Sequence, residues 1–150
     1  MMKKNILFYV VLVFVLNSCQ DNGKSNNPLD GNRATESRIL LNDIWNITKI
    51  NGKDYNDIAQ KRPQLEFDSR ENKFTGNDSC NEIFGSLKKL TNTNIEFDII
   101  RATRMKCPEM NGAIHYQKLL KEIRYYKIEN LTLSLMNAEN KVLMVFKKVD

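Results

Sequence analysis

The sequence predicts a mainly β domain of the α+β class, with one helix inserted late among short strands. Two observations predict this class. Segments in which apolar and polar residues alternate recur from residue 39 onward, and one later segment has apolar residues three and four positions apart. Alternation is typical of half-buried strands, and the wider spacing is typical of an amphipathic helix. Regular short strands favour a barrel or a sandwich over an α/β fold.

Turn signals and alternation place the strands. The first strand carries the only tryptophan and ends at Asn51-Gly52, a strong hairpin-turn signal. Glu66/Asp68 and Glu96/Asp98 fall on the polar face of their strands, which is expected of a solvent-facing side. The predicted strands are Ile44 to Ile50, Leu65 with Phe67, Lys73 to Thr75 with a break at Gly76, Ile83 to Leu90, Ile95 to Ile100, Leu131 with Leu133 and Leu135, and Lys141 to Val149.

The helix is predicted from Glu109 to about Tyr125. Pro108 lies near its start, where the fixed φ of proline suits the first helical turn. One face carries the apolar residues Ala113, Tyr116, Leu119, Leu120 and Ile123. We expect Tyr125-Tyr126 to end this helix and enter the next strand.

The N-terminus looks like the signal peptide of a bacterial lipoprotein. Lys3 and Lys4 precede an apolar run from Ile6 to Leu16, which is about 16 Å long as a helix, roughly half of a bilayer's hydrocarbon core. Such a run is too short to span a membrane and matches a signal sequence. Leu16 and Ser18 fit a lipoprotein cleavage site before Cys19, although Asn17 is more polar than is typical. We expect Cys19 to be lipidated.

This interpretation divides the chain into residues 1–18 as signal peptide, 19–38 as a flexible tether and 39–150 as one folded domain. The tether has a single large apolar residue, Leu29, and too little apolar surface to order itself. The lipid anchor would hold the domain at the membrane of the cell envelope. Gln20, rather than an acidic residue, follows Cys19, which favours the outer membrane.

Cys80 and Cys107 remain after Cys19 is assigned to lipid. An even pair in an exported protein favours a disulfide, which would stabilise the domain by about 3–4 kcal/mol in the chain-entropy model. Two buried free cysteines, or a metal site, are the alternatives. The metal alternative is poor, because the chain has one histidine, no C-x-x-C and too few ligands for a closed tetrahedral site.

Neither nucleic-acid binding nor catalysis is indicated. The net charge of +5 includes two lysines of the signal peptide, and the remaining basic residues are scattered among acidic ones. His115 is the only histidine, and no motif supplies a nucleophile or an orienting acid beside it. We predict no catalytic residues, no cofactor and no metal.

Two local patterns together resemble the META/HslJ domain family. They are Phe74-Thr75-Gly76-Asn77-Asp78-Ser79-Cys80-Asn81 followed by Gly85, and Thr103-Arg104-Met105-Lys106-Cys107-Pro108 before the helix. Asn77-Asp78-Ser79 departs from the small or apolar residues common in that family. The resemblance implies a small antiparallel β-barrel-like domain of seven to eight strands, often carried by envelope lipoproteins and linked to stress responses. Gly76 and Gly85 would permit the bulges or curvature that close such a barrel, and Asn81 would bond backbone groups in a turn.

The expected function is therefore a non-enzymatic, lipid-anchored envelope protein that acts by binding, in stress tolerance or envelope maintenance. The alternative is a pilot- or carrier-like protein that holds a hydrophobic ligand or a partner peptide in the barrel. An eight-stranded barrel can be filled by its own side chains or can hold one small ligand. An envelope protein or a hydrophobic ligand is thus the expected partner, besides the membrane.

Replacing the lipidated cysteine tests the anchor. We expect Cys19→Ala to abolish incorporation of a fatty-acid probe in growing cells, because the acyl chains need the cysteine sulfur and the new N-terminus it forms. Cys80→Ala serves as the control and should remain labelled. A Cys19→Ala chain that still incorporates the probe would overturn the anchor.

Overall fold

The computed structural model describes residues 37–55, 61–108 and 110–149. The predicted signal peptide, Cys19 and nearly all of the predicted tether lie outside the described residues, as does Glu109. Residues 37–41 form a short helix, α1, so residues 37 and 38, which the sequence places in the tether, are helical. Arg38 donates from Nη2 to the carbonyl oxygen of Ser69 at 2.9 Å, which ties this helix to the sheet.

The strands form one antiparallel sheet that curls into a half-barrel, which confirms the predicted mainly β class. The sheet order is β6-β5-β4-β3-β1-β9-β8-β7, and β2 pairs with β1. The two outer strands approach each other through an isolated bridge between Asn94 and Tyr125. The elements are β1 (Ile44–Ile50), β2 (Lys53–Asp54), β3 (Gln64–Asp68), β4 (Lys73–Asn77), β5 (Glu82–Leu90), β6 (Ile95–Ala102), α2 (Met110–Glu122), β7 (Tyr125–Glu129), β8 (Thr132–Met136) and β9 (Val142–Lys148).

One apolar core receives side chains from every described strand except β2. Trp45, Tyr116, Phe74 and Phe146 are the largest of its fully buried side chains. The predicted apolar face of α2 is confirmed, since all five of its residues are buried. Helix α1 adds the buried Leu41, whose carbonyl oxygen accepts a hydrogen bond from Trp45 Nε1 at 3.0 Å. Neither described helix is long and apolar enough to cross a membrane.

The predicted hairpin at Asn51-Gly52 is present. Both residues have positive φ, of 50° and 77°, and they join β1 to β2 as a two-residue turn. The start of β8 differs from the prediction, because Leu131 does not belong to the strand that contains Leu133. Leu131 has a φ of 59°, is 52% exposed and forms the turn between β7 and β8 with Asn130. Alternation alone did not reveal where this strand begins.

Three further boundaries differ from the prediction. Strand β4 does not break at Gly76 but runs through it. A side chain at position 76 would meet the Gln64 carbonyl oxygen, so glycine is the residue that lets β3 and β4 pair closely here. Helix α2 ends at Glu122, since the Arg124 amide already bonds to the Met136 carbonyl at 2.8 Å. Strand β6 extends two residues beyond the predicted Ile100 and ends at Ala102, and Met105 lies in the irregular segment that follows.

Gly85 of β5 permits a close approach of both β6 and the Phe74 ring. A Cβ at this position would lie 2.3 Å from the Ile99 carbonyl oxygen and 3.0 Å from Phe74 Cε1. The register of β5 and β6 shifts directly after Gly85, as in a β-bulge. The Phe74 ring that covers the glycine also meets Phe97 edge-on, with ring centroids 4.9 Å apart. The missing side chain therefore accommodates both the bulge and the aromatic pair.

We expect Gly85→Ala to lower the free energy of unfolding by about 2–3 kcal/mol, because the added methyl group displaces backbone in a filled core. Gly112→Ala is the matched control, since its Cβ would meet no atom within 4 Å. That helical substitution should raise stability by about 0.5–1 kcal/mol. Urea unfolding followed by Trp45 fluorescence measures both. Equal stability of Gly85→Ala and the native chain would contradict the close approach.

Candidate functional site

Two irregular segments meet at the end of the sheet where β4 stops and β6 stops. The turn from Asp78 to Asn81 joins β4 to β5, and residues 103–108 lead from β6 toward α2. A disulfide joins Cys80 in the first segment to Cys107 in the second, with Cα atoms 5.9 Å apart. The segments also bond directly, since the Asn81 side-chain oxygen accepts from the Met105 amide at 3.0 Å. The two cysteines thus meet in irregular segments beyond the ends of the strands.

The carboxylate of Asp78 organises this end of the fold. Asp78 is fully buried, and its Oδ1 accepts from the backbone amides of Cys80 at 3.0 Å and Asn81 at 2.6 Å. Its Oδ2 accepts from Gln117 Nε2 of helix α2 at 2.5 Å and from Asn81 Nδ2 at 3.4 Å. Amide donors rather than an ion pair therefore compensate the buried charge in these hydrogen bonds.

The turn itself is held in an unusual backbone conformation. Ser79 has a φ of 79°, in the left-handed region that non-glycine residues seldom adopt. Its amide donates to the side chain of Asn77 at 3.2 Å, while the Asp78 amide donates to the Asn81 carbonyl at 3.1 Å. Side-chain acceptors of this kind are how Asn and Asp stabilise tight turns. The result directs Cys80 toward the segment that carries Cys107.

Tyr116 is a buried hydroxyl close to this network. Its Oη has no hydrogen-bond partner among the described residues. Burial, followed by the charges of Asp78 and Tyr55, raises the pKa of Tyr116 well above its ordinary value. The phenol is therefore protonated at physiological pH, so it is available as a hydrogen-bond donor and not as a base.

Three exposed apolar residues lie near the disulfide: Met110 contacts Cys80, Met105 precedes Cys107 by two residues, and Ile114 follows Met110 by one helical turn. We define the disulfide face as Cys80, Met105, Cys107, Met110 and Ile114. Met105, Met110 and Ile114 are 55%, 40% and 60% exposed, and the two cysteines are half-buried. The Met105 carbonyl oxygen lies 3.7 Å from Cys80 Sγ and Met110 Sδ lies 3.8 Å from it. A disulfide sulfur carries no proton, so these are van der Waals contacts.

Cationic side chains border the disulfide face. Arg104 and Lys106 lie on either side of Met105, and Lys118 follows Ile114 by one helical turn. All three are exposed. The segment from Ile99 to Pro108 contains three basic residues and no acidic one. Exposed basic residues therefore neighbour the apolar residues of the face in the chain, and the exposed Glu82 lies beside Thr103.

Two described surface grooves lie elsewhere, along β3. Their volumes are about 220 and 470 Å³, and Glu66, Phe67 and Asp68 line both of them. Both grooves open to solvent, and neither is lined by a residue of the disulfide face. Neither of these two grooves therefore forms an enclosed pocket at the disulfide end, and neither reaches Cys80 or Cys107.

The remaining predicted features separate from this site. Cys19 lies outside the described residues. His115 is exposed on α2, with Nε2 3.5 Å from Asn51 Nδ2. No group of three or more His, Cys, Asp or Glu side chains suited to a metal ion occurs among the residues that the structure describes. The hydrogen bond between Asp78 and Gln117 is not predicted by the sequence. The spacing of Asp78 and Asn81, however, is typical of a turn stabilised by a side chain.

Asp78→Asn tests the buried carboxylate under conditions that keep the disulfide. The amide would place a donor opposite those of Gln117 and Asn81, so we expect a loss of about 2–3 kcal/mol in the free energy of unfolding. In a Gln117→Ala background the same change should cost about 1–2 kcal/mol less, because one opposing donor is gone. Urea unfolding of the four proteins gives this coupling. Identical losses in both backgrounds would contradict a direct bond between Asp78 and Gln117.

Solved structures with this fold are known. The chain is similar to a Burkholderia xenovorans protein solved by NMR, with 18% identity, coverage of 77% of this chain and 87% of that one, and a TM-score of 0.59. A second NMR structure is 23% identical, with coverage of 75% and 93% and a TM-score of 0.57. The crystal structure of a DUF4847 family protein from Bacteroides vulgatus is 14% identical, with coverage of 77% and 99% and a TM-score of 0.54. At these identities the likeness concerns the fold.

No curated protein matches the chain significantly. The META domain model does match it, over residues 39–150, which includes almost all of the described structure and both segments of the disulfide end. The match covers the late helix and the two motifs around Cys80 and Cys107 that carry the resemblance found in the sequence. The chain therefore belongs to the META domain family.

Proposed function

We propose that this chain is a lipid-anchored protein of the cell envelope whose META domain acts by binding a partner protein, without catalysis. The observation that carries the proposal is the disulfide face. Its methionine and isoleucine side chains are exposed, exposed basic residues neighbour them in the chain, and the segments beneath it are cross-linked. Apolar patches rimmed by polar residues are typical of protein interaction sites.

The N-terminal sequence supports the proposed location. Residues 1–18 have the charge and apolar pattern of a signal peptide, Cys19 would carry the lipid, and Gln20 favours the outer membrane. A disulfide within the domain is consistent with export, because disulfides persist in oxidising compartments. A role in stress tolerance or envelope maintenance is part of the same proposal and derives from the family resemblance.

The charge of the border indicates the chemistry of the partner. Arg104, Lys106 and Lys118 would be complemented by carboxylates around an apolar segment. We therefore propose an envelope protein that presents apolar side chains flanked by Asp or Glu. Met105 and Met110 suit such a surface, because flexible thioether side chains adapt to irregular apolar partners.

The buried groups at this end support binding rather than catalysis. Both oxygens of Asp78 already accept hydrogen bonds, and Tyr116 has a raised pKa that keeps it protonated. The carrier alternative has less support, because buried side chains from the strands and both helices occupy the interior of the half-barrel. The two described grooves lie along β3 and open outward.

Site-specific photocrosslinking in intact cells tests the face. A photoreactive phenylalanine at Ile114, which is 60% exposed, should give a discrete adduct, while the same residue at Leu131, which is 52% exposed in the β7–β8 turn, should not. Combined Arg104→Glu and Lys106→Glu substitutions should reduce the Ile114 adduct at least about tenfold, because the charge of the border is reversed.

The captured protein is identified by mass spectrometry and its cross-linked peptide is sequenced. A peptide with apolar residues beside Asp or Glu supports the proposal. Equal adducts at positions 114 and 131, or an adduct that survives the charge reversal, would contradict it. Abundance and retention of the disulfide are checked for each variant, so that misfolding does not imitate a loss of binding.

A further inference from the structure

Three sulfur atoms lie together at the disulfide face. Cys80 Sγ is bonded to Cys107 Sγ, and the thioether sulfur of Met110 lies 3.8 Å from Cys80 Sγ. The cysteines are half-buried and Met110 is 40% exposed, so solvent species reach this cluster. One member of the cluster is a thioether, which is not among the His, Cys, Asp and Glu side chains that usually bind zinc or hard cations.

The two cysteine segments are also held together independently of the disulfide. The Met105 amide of the second segment donates to Asn81 Oδ1 of the first at 3.0 Å, and within the first segment Asp78 Oδ1 fixes the Cys80 amide at 3.0 Å. The Glu82 and Thr103 backbones add a further link, in which the Thr103 amide donates to the Glu82 carbonyl at 3.0 Å. Opening the sulfur–sulfur bond therefore leaves hydrogen bonds that keep the two cysteines adjacent.

Reduction would change the chemistry of the cluster. A dithiol reductant transfers two electrons and two protons, so the Cys80–Cys107 bond breaks, two thiols form and the reductant becomes a disulfide. Thiolate and thioether sulfurs are soft ligands that select Cu(I). The two thiols lose their protons on binding the ion. The exposed cations Arg104 and Lys106, which precede Cys107 in the chain, would offset the negative charge of a bis-thiolate copper(I) site.

We propose that the reduced form of this protein binds one Cu(I) ion through Cys80 Sγ, Cys107 Sγ and Met110 Sδ. The site needs three ligands rather than the four of a closed tetrahedral zinc site, so the short supply of ligands that argues against zinc does not apply. The proposed copper site shares Cys80, Cys107 and Met110 with the disulfide face, but it concerns their reduced sulfur atoms and does not require a bound partner.

Anaerobic titration with Cu(I) tests the site. The full chain, purified in detergent, is reduced with dithiothreitol, freed of reductant and titrated with Cu(I) in competition with a chromophoric Cu(I) chelator. We expect one equivalent to bind to the reduced protein and none to the oxidised one. Cys80→Ser should abolish binding, and Met110→Leu should weaken it at least about tenfold. Met105→Leu is the matched control and should bind like the native chain.

X-ray absorption of the copper-loaded protein counts the sulfur ligands, and circular dichroism with Trp45 fluorescence reports the fold of the reduced protein. Three sulfurs in a folded chain support the proposal. Native affinity in Met110→Leu, two sulfurs instead of three, or the absence of binding by the reduced chain would overturn it. Unfolding on reduction would also overturn it, because the hydrogen bonds of Asp78 and Asn81 are argued to hold the site.

Discussion

The hydrogen bonds of the buried Asp78 carboxylate are the constraint on which the disulfide end depends. The group accepts from the turn that contains Cys80 and from Gln117 on helix α2, which lies 39 residues away in sequence. A buried charge is tolerated only when donors compensate it, so each segment must stay where its donor meets an oxygen. The carboxylate thus determines how the β4–β5 turn sits against the helix that closes the half-barrel. The disulfide then fixes the third segment, residues 103–108, to the same turn.

Alternation in the sequence predicted most of the fold because it reports which face of a strand is buried. The strands around Leu65, Ile83, Ile95 and Leu133 were identified in this way, as was the buried face of α2. The incorrect predictions concern positions where the pairing of strands, rather than the burial of side chains, determines the backbone structure. Gly76 reads as a strand breaker but pairs within β4, and Leu131 reads as strand but forms a turn. Helix α1 was missed because five residues with one buried side chain, Leu41, give no helical period.

The site was less predictable than the fold, because its chemistry comes from contacts between distant segments. Cys80 and Cys107 could be paired by argument, since an exported chain with two remaining cysteines favours a bridge. The local sequence does not predict that Asp78 contacts Gln117, or that the Met110 sulfur lies beside Cys80. The Asn77-Asp78-Ser79 sequence was visible only as a departure from the family pattern. In the structure these residues supply the buried carboxylate of Asp78 and the left-handed residue Ser79 of the turn.

Rigidity of this end would favour the proposed binding of a partner by its exposed residues. Binding loses affinity when loops must be ordered, so a loop that is already fixed presents its side chains at lower entropic cost. The segment with Arg104, Met105 and Lys106 has no regular secondary structure, yet it is held by the Met105 amide bond to Asn81 and by the disulfide one residue further on. In contrast, buried core side chains fill the interior of the half-barrel. The interior of this domain therefore serves stability, and in the proposed binding role the irregular, cross-linked end would carry specificity.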